Sequence, residues 1–147
     1  MAKQLLLIED SPTQAAFFKT HFENNNYQVI TANDGESGIE WLQNCKAQGH
    51  PPPHLIVLDY LLPGEDGLEV CKRLKSDLAL RPIPVLMYSA ETSLHNMTLA
   101  YEAGADYYVV KGGEDGQRHL ELVIDAIFIR QTRTRNRSAE RANTSAS

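Results

Sequence analysis

Five polar residues stand immediately beyond short apolar runs: Glu9 and Asp10 after LLLI, Asp59 after LIVL, Ser89 after VLMY and Lys111 after YYVV. Three carboxylates, a hydroxyl and an ammonium in one place would suit one kind of chemistry. Crowded carboxylates repel one another, and one of them is pushed toward protonation. A divalent cation removes the conflict, and a small oxygen-only set suits Mg2+, which keeps several waters and completes its shell with phosphate oxygens. The matching reaction class is phosphoryl transfer, whose transition state mainly needs positioning and neutralisation of spread negative charge. Asp59 would be the nucleophile and form an acyl phosphate. Lys111 and the Ser89 hydroxyl would hold the phosphoryl oxygens. Taken singly, each residue has a structural explanation: Asp10 as a helix cap, Asp59 as a turn former, Ser89 as the cap of a fourth helix, Lys111 as a solvated side chain. The convergence of separate strand ends carries the chemical reading.

That convergence depends on the elements between the five residues. KQLLLI (residues 3 to 8) is a strand, and DSPTQAAFFKTHFENNN continues as a helix with Ser11 or Asp10 as its cap, Pro12 in the first turn, and Ala15, Phe18 and Phe22 on one face. YQVIT is a second strand, and DGESGIEWLQNCKAQG a helix carrying Ile39, Leu42 and Cys45 at three-residue steps. HPPPH is a stiff spacer, after which HLIVLD has the continuous apolar character of a strand buried on both faces of a parallel sheet. GLEVCKRLKSD carries Leu68, Cys71 and Leu74 on one stripe, PIPVLMYS is a fourth strand, and ETSLHNMTLAYEAG a helix ended by Gly104. DYYVVK and GEDGQRHLELVIDAIFIRQ form the last pair. Strands alternating with helices predict a doubly wound α/β sandwich, because right-handed crossovers cover both faces of a parallel sheet. Ligands of such sheets bind beyond the carboxyl ends of the strands, near the point where strand order reverses.

Bulk properties narrow the alternatives. The chain has 147 residues, 42% of them apolar and 22% charged, which suits one ordinary core. A net charge of −5 argues against nucleic-acid binding by the domain as a whole. Cys45 and Cys71 lack metal or redox spacing and read as reduced thiols, and LLLI is too short for a signal-peptide core, so a cytoplasmic location is expected. His21, His50, His54, His95 and His119 show no ligand spacing, and PPP reads as a rigid loop. In the last helix Leu120, Val123, Ile124 and Ile127 make a core stripe, with Leu122 and Ile129 off it. RQTRTRNRSAERANTSAS, with five arginines and no apolar periodicity, reads as a frayed helix end followed by a flexible solubilising tail or linker.

The blocks LIEDSPT, LIVLDYLLPGEDG, VLMYSAE and GADYYVVK resemble, in this order, the receiver family of two-component response regulators, over about residues 3 to 130. The resemblance implies a doubly wound five-stranded parallel sheet of the flavodoxin-like order 2-1-3-4-5 with helices on both faces. It implies a receiver domain over residues 1 to 130 and leaves residues 131 to 147 as a flexible basic tail. It further implies that Asp59 is the phosphoacceptor, that Glu9, Asp10, Asp59 and the Leu61 backbone carbonyl hold Mg2+, and that Lys111 binds the phosphoryl group. Ser89 would be the switch hydroxyl and Tyr108 the switch aromatic. The donor would be a phosphohistidine of a sensor histidine kinase or phosphotransfer protein, and the output a protein target or a homodimer through the fourth helix, fifth strand and fifth helix. No direct DNA contact and no membrane association are expected. The chemistry would be self-catalysed phosphoryl acceptance and autodephosphorylation rather than turnover of a substrate.

Two departures stand out. Gly112 and Gly113 follow Lys111 where the family usually has a proline in a cis peptide, a geometry that costs about 2.5 to 4 kcal/mol before other residues. Leu61, two residues beyond Asp59, offers no polar group to an attacking water, whereas Glu91, two beyond Ser89, does; slow loss of the phosphoryl group is expected. The alternatives are a receiver-like interaction module that is never phosphorylated, a flavodoxin-like cofactor binder, and an aspartate-nucleophile phosphatase. The second would want a Ser, Thr or Gly phosphate loop where this chain has IEDSPTQ, and the third another acid in place of Leu61.

Overall fold

A computed structural model describes residues 3–62, 64–112 and 116–146. Two compact units divide the chain, Met1–Gly112 and Gly113–Ser147. The first contains β1 (Lys3–Ile8), α1 (Pro12–Glu23), β2 (Tyr27–Ala32), α2 (Gly35–Ala47), β3 (Leu55–Asp59), α3 (Gly67–Ser76), β4 (Val85–Ser89), α4 (Leu94–Glu102) and β5 (Tyr107–Val110); the second contains α5 (Gly116–Ala146). The strands form one all-parallel sheet in the order β2-β1-β3-β4-β5. The order reverses between β1 and β3, so the crevice for ligands lies between the residues that follow those two strands, Glu9 and Asp59.

Alternation along the strands explains the packing. Leu6, Ile8, Ile56, Leu58, Val85 and Met87 turn to one face, against Ile39 and Leu42 of α2, Val70, Cys71 and Leu74 of α3 and Ala100 of α4. The intervening Leu5, Leu7, Leu55, Val57 and Leu86 are buried as well, and all five residues of β3 are withdrawn from solvent. This is why LIVLD shows no polar alternation. Phe18 and Phe22 of α1 stack at 4.4 Å, and Phe22 meets Tyr27 edge-on at 5.5 Å.

Helix starts are set by side-chain oxygens that accept from backbone amides three residues on. Ser11 caps α1, Asp34 α2, Asp66 α3 and Ser93 α4. The first and last of these matter for function, because they release Asp10 and Ser89 from the capping roles that sequence alone permits. At the amino ends of β4 and β5 Lys75 ties three segments together: its Nζ donates to the carbonyls of Arg81 and Ile83 at 3.0 and 2.9 Å and meets Asp106 Oδ2 at 2.9 Å. The same Asp106 oxygen accepts from the Val85 amide.

Two expectations need amending, and the backbone after Lys111, which the sequence leaves open between a cis peptide and an unusual glycine dihedral, takes the second form at Gly112. β4 begins at Val85, not Pro82, since Pro82 and Pro84 have no amide to give the ladder. Residues 131–146 continue α5 as helix instead of fraying. That stretch has no glycine or proline to break it, and a segment that extends an existing helix avoids the cost of nucleation, which offsets the missing apolar periodicity. The described peptides include no cis bond; Gly112 takes φ 143°, which a residue with a side chain would rarely adopt, and Gly113 lies outside the described residues. Within α5, Leu120, Ile124 and Ile127 of the expected stripe are buried and Val123 only half-buried; Phe128, outside the stripe, is buried too, while Leu122 and Ile129 are exposed.

Candidate functional site

Strand register delivers the acidic groups. Ile8 pairs with Leu58, so Glu9 and Asp59 stand side by side at the ends of β1 and β3. Glu9, Asp10 and Asp59 each offer an oxygen within 4.8 Å of the others, the one such cluster among the described residues. Glu9 and Asp59 are almost fully buried, whereas Asp10 is exposed at the mouth. Hydrogen bonds hold two of them: the Glu9 amide donates to the Ala32 carbonyl at 2.9 Å, and the Glu9 and Asp59 carboxylates accept from the Ser11 and Leu61 amides, each at 3.2 Å.

Lys111 is drawn into the same place. Its amide donates to the Ser89 carbonyl at 2.6 Å, and its Nζ lies 3.1 Å from Asp59 Oδ2 and 3.4 Å from Glu9 Oε2. One ammonium does not offset the acidic cluster. Burial, then the hydrogen bond and the charge of Asp59, push the Glu9 carboxyl up to about 7, against the opposing pull of Lys111 and the Ser11 amide. A buried, oxygen-only, over-acidic cluster open to solvent at Asp10 fits a hard divalent cation such as Mg2+.

Ser89 is buried at the end of β4, one residue beyond the Asp59 partner Tyr88, and its hydroxyl accepts from the Glu91 amide at 3.0 Å. Tyr108 is half-buried, and its hydroxyl donates to the Glu91 carbonyl at 2.9 Å, which links β5 to the loop that also engages Ser89. Leu61 is 64% exposed, and the Glu91 carboxylate accepts from Asn96 Nδ2 at 3.2 Å. Glu9, Asp10, Asp59 and Lys111 therefore meet directly, while Ser89, Tyr108 and Glu91 form an adjoining set around the β4–α4 loop.

Two neighbours escaped sequence reasoning. Gln14, in the first turn of α1, places Oε1 3.4 Å from Lys111 Nζ. The Tyr88 ring lies under the same ammonium, with the centroid 5.1 Å from Nζ. Neither residue type announces the site, but the parallel register of Tyr88 with Asp59 could have exposed the second.

Comparison with known proteins agrees with this geometry. The family model described as the response regulator receiver domain matches residues 5–122. The chain is 36% identical over 111 residues to the alkaline phosphatase synthesis transcriptional regulatory protein PhoP of Bacillus subtilis (strain 168), covering 76% of this chain and 43% of that protein. It is 35% identical over 135 residues to the transcriptional regulatory protein AfsQ1 of Streptomyces coelicolor, covering 92% of this chain and 55% of the relative. The chain thus spans about half the length of these curated relatives. Among solved structures, the Mn(2+)-bound form of response regulator Rcp1 superposes with a TM-score of 0.72 at 26% identity, over 82% of this chain and 91% of that one.

Proposed function

The chain belongs to the response regulator receiver domain family, and from that premise we propose that it is a phosphorylation-dependent switch centred on Asp59. Phosphorylation switching is the general function of the family; the assignments to particular residues are this reading's own. An Asp59 oxygen attacks the phosphorus of a phosphohistidine on a sensor histidine kinase or phosphotransfer protein. The oxygen–phosphorus bond forms, the phosphorus–nitrogen bond breaks, and its electron pair returns to the imidazole. Glu9, Asp10, Asp59 and the Leu61 carbonyl would hold Mg2+, which supplies charge neutralisation to the phosphoryl oxygens. The similarity to the Mn(2+)-bound form of response regulator Rcp1 supports a divalent ion here. Lys111 neutralises a further oxygen, and its bond to Asp59 is exchanged for one to the phosphoryl group.

The signal then needs a state that the phosphoryl group binds better than its alternative. In this reading the Ser89 hydroxyl leaves the Glu91 amide for the phosphoryl oxygen, and Tyr108 resets its bond to the same loop. The output is a protein partner in the cytoplasm, or a second copy engaged through the exposed Leu122 and Ile129 of α5. No described helix is long and apolar enough to cross a membrane. The switch is assigned to residues 1–130, and the arginine-rich residues 131–147 lie outside it.

The observation that carries this reading is the meeting of Glu9, Asp10, Asp59 and Lys111 at one strand rim. Incubation with acetyl phosphate and Mg2+ followed by intact-mass measurement tests it. Wild type gains one phosphoryl group and Asp59→Asn gains none. A wild type that stays unmodified means a receiver-shaped interaction module instead.

A further inference from the structure

Asp59 ends β3 and Lys111 follows β5, with β4 lying between them. Neighbouring strands are about 4.8 Å apart, so the lysine stem has to cross β4 to bring Nζ to 3.1 Å from Asp59 Oδ2. The residue it crosses is Tyr88. Asp59 pairs with Tyr88 and Tyr88 with Val109, and paired residues of a parallel sheet leave it on the same face. Lys111, two residues past Val109, returns to that face. The ammonium then sits 5.1 Å from the ring centroid, within cation–π range.

Besides Asp59 itself, little among the described residues aims the ammonium. The Lys111 amide on the Ser89 carbonyl fixes the start of the stem and not its charged end, and Gly112 beyond it has open space where a Cβ would stand. The Gln14 and Glu9 oxygens lie at 3.4 Å, near the outer limit of a hydrogen bond. We infer that Tyr88 is a positioning residue: its ring face holds the Lys111 ammonium beside Asp59, where that cation meets the incoming phosphoryl oxygens. The inference rests on the reading of Asp59 as phosphoacceptor and Lys111 as its cation. A ring suits the task because it attracts the ammonium without adding a fourth carboxylate, and leaves the N–H bonds free to turn toward a new anion. An aliphatic residue would support the stem and leave the charge undirected.

A double-mutant cycle tests this. Phosphorylation from acetyl phosphate with Mg2+ is timed in wild type, Tyr88→Phe, Tyr88→Leu, Lys111→Met and the Tyr88→Leu/Lys111→Met pair, each checked by thermal melting. Tyr88→Phe keeps the wild-type rate, Tyr88→Leu slows it roughly three- to tenfold, and Tyr88→Leu adds no further loss once Lys111 is methionine. In NMR spectra of the unphosphorylated protein, the Lys111 ε-methylene protons are shifted upfield by the ring in wild type and Tyr88→Phe, and lose that shift in Tyr88→Leu. An unchanged rate in Tyr88→Leu, an equal loss in both lysine backgrounds, or unshifted ε-protons in wild type overturns the inference. A wild type that accepts no phosphoryl group refutes the switch instead, and the ring shift still decides where Tyr88 holds the lysine.

Discussion

Leu61 sits two residues beyond Asp59, its amide spent on Asp59 Oδ1 and its side chain largely in solvent. Its aliphatic side chain gives an attacking water nothing to bind. Glu91 has its carboxylate engaged with Asn96. The acyl phosphate should therefore be long-lived. An amide at position 61 adds one hydrogen bond to that water, worth about 1 kcal/mol, so Leu61→Asn should speed phosphate loss roughly fivefold. Decay of the phosphorylated mass after removal of donor measures this, and an equal or slower decay in the variant rejects the account. A second residue carries a pH signature. Cys71 is fully buried, and burial pushes its thiol from the ordinary 9.0 up to about 11, with Asp106 reinforcing and Lys75 opposing the rise. The folded state thus holds a proton that the unfolded chain releases near pH 9. Its stabilising contribution is intact below that pH and is lost as pH rises toward about 11, on the order of 3 kcal/mol in all. Urea denaturation across this range should show a smaller alkaline loss for Cys71→Ala than for wild type, even though the variant is weaker at neutral pH. Parallel curves would refute it.

At the scale of elements, the site depends on how closely α3 approaches the end of β3. A Cβ on Gly67 would lie 2.5 Å from the Asp59 carbonyl and 2.8 Å from Tyr60 Cα, and the Gly67 amide donates to the Tyr60 carbonyl at 2.7 Å. These neighbours are backbone and cannot rotate away. Gly67→Ala must push α3 and the Asp59–Tyr60 segment apart, at a cost of about 1–3 kcal/mol. It should lower the urea midpoint and slow phosphoryl acceptance together; a variant unchanged in both would show that the segment yields freely. Sequence reading placed all five strands and helices because each apolar run ends at a change of period, and it found Asp59 because a carboxylate interrupts the most buried strand. It left Asp10 and Ser89 ambiguous, since either could cap a helix until Ser11 and Ser93 were seen to do so. Tyr88 went unremarked because its importance lies in register, and register is a property of paired strands rather than of one.

For the whole molecule the uneven property is charge. The chain carries a net −5, yet five arginines and one glutamate follow residue 129, so the remainder is more acidic than the total. Polar composition without periodicity suggested a flexible end, but α5 runs on to Ala146. A polar helix of this length is marginal in isolation because its first turn is costly; one that continues an existing helix avoids that nucleation. Its weakness is electrostatic, because Arg130, Arg133 and Arg137 follow one another at three- and four-residue steps on one face, and like charges so placed destabilise by about 0.2–0.5 kcal/mol per pair. Salt screens such exposed pairs, with a Debye length falling from roughly 30 Å at 0.01 M to 10 Å at 0.1 M. The helical circular-dichroism signal of the full chain should therefore rise over that range, while a chain ending at Arg130 gives a lower and salt-independent signal. That shortened chain should still accept a phosphoryl group on Asp59 at the wild-type rate. Equal helical signal from the two chains would return residues 131–146 to a flexible tail, and a slower Asp59 reaction in the shorter chain would place the arginine-rich helix inside the switch.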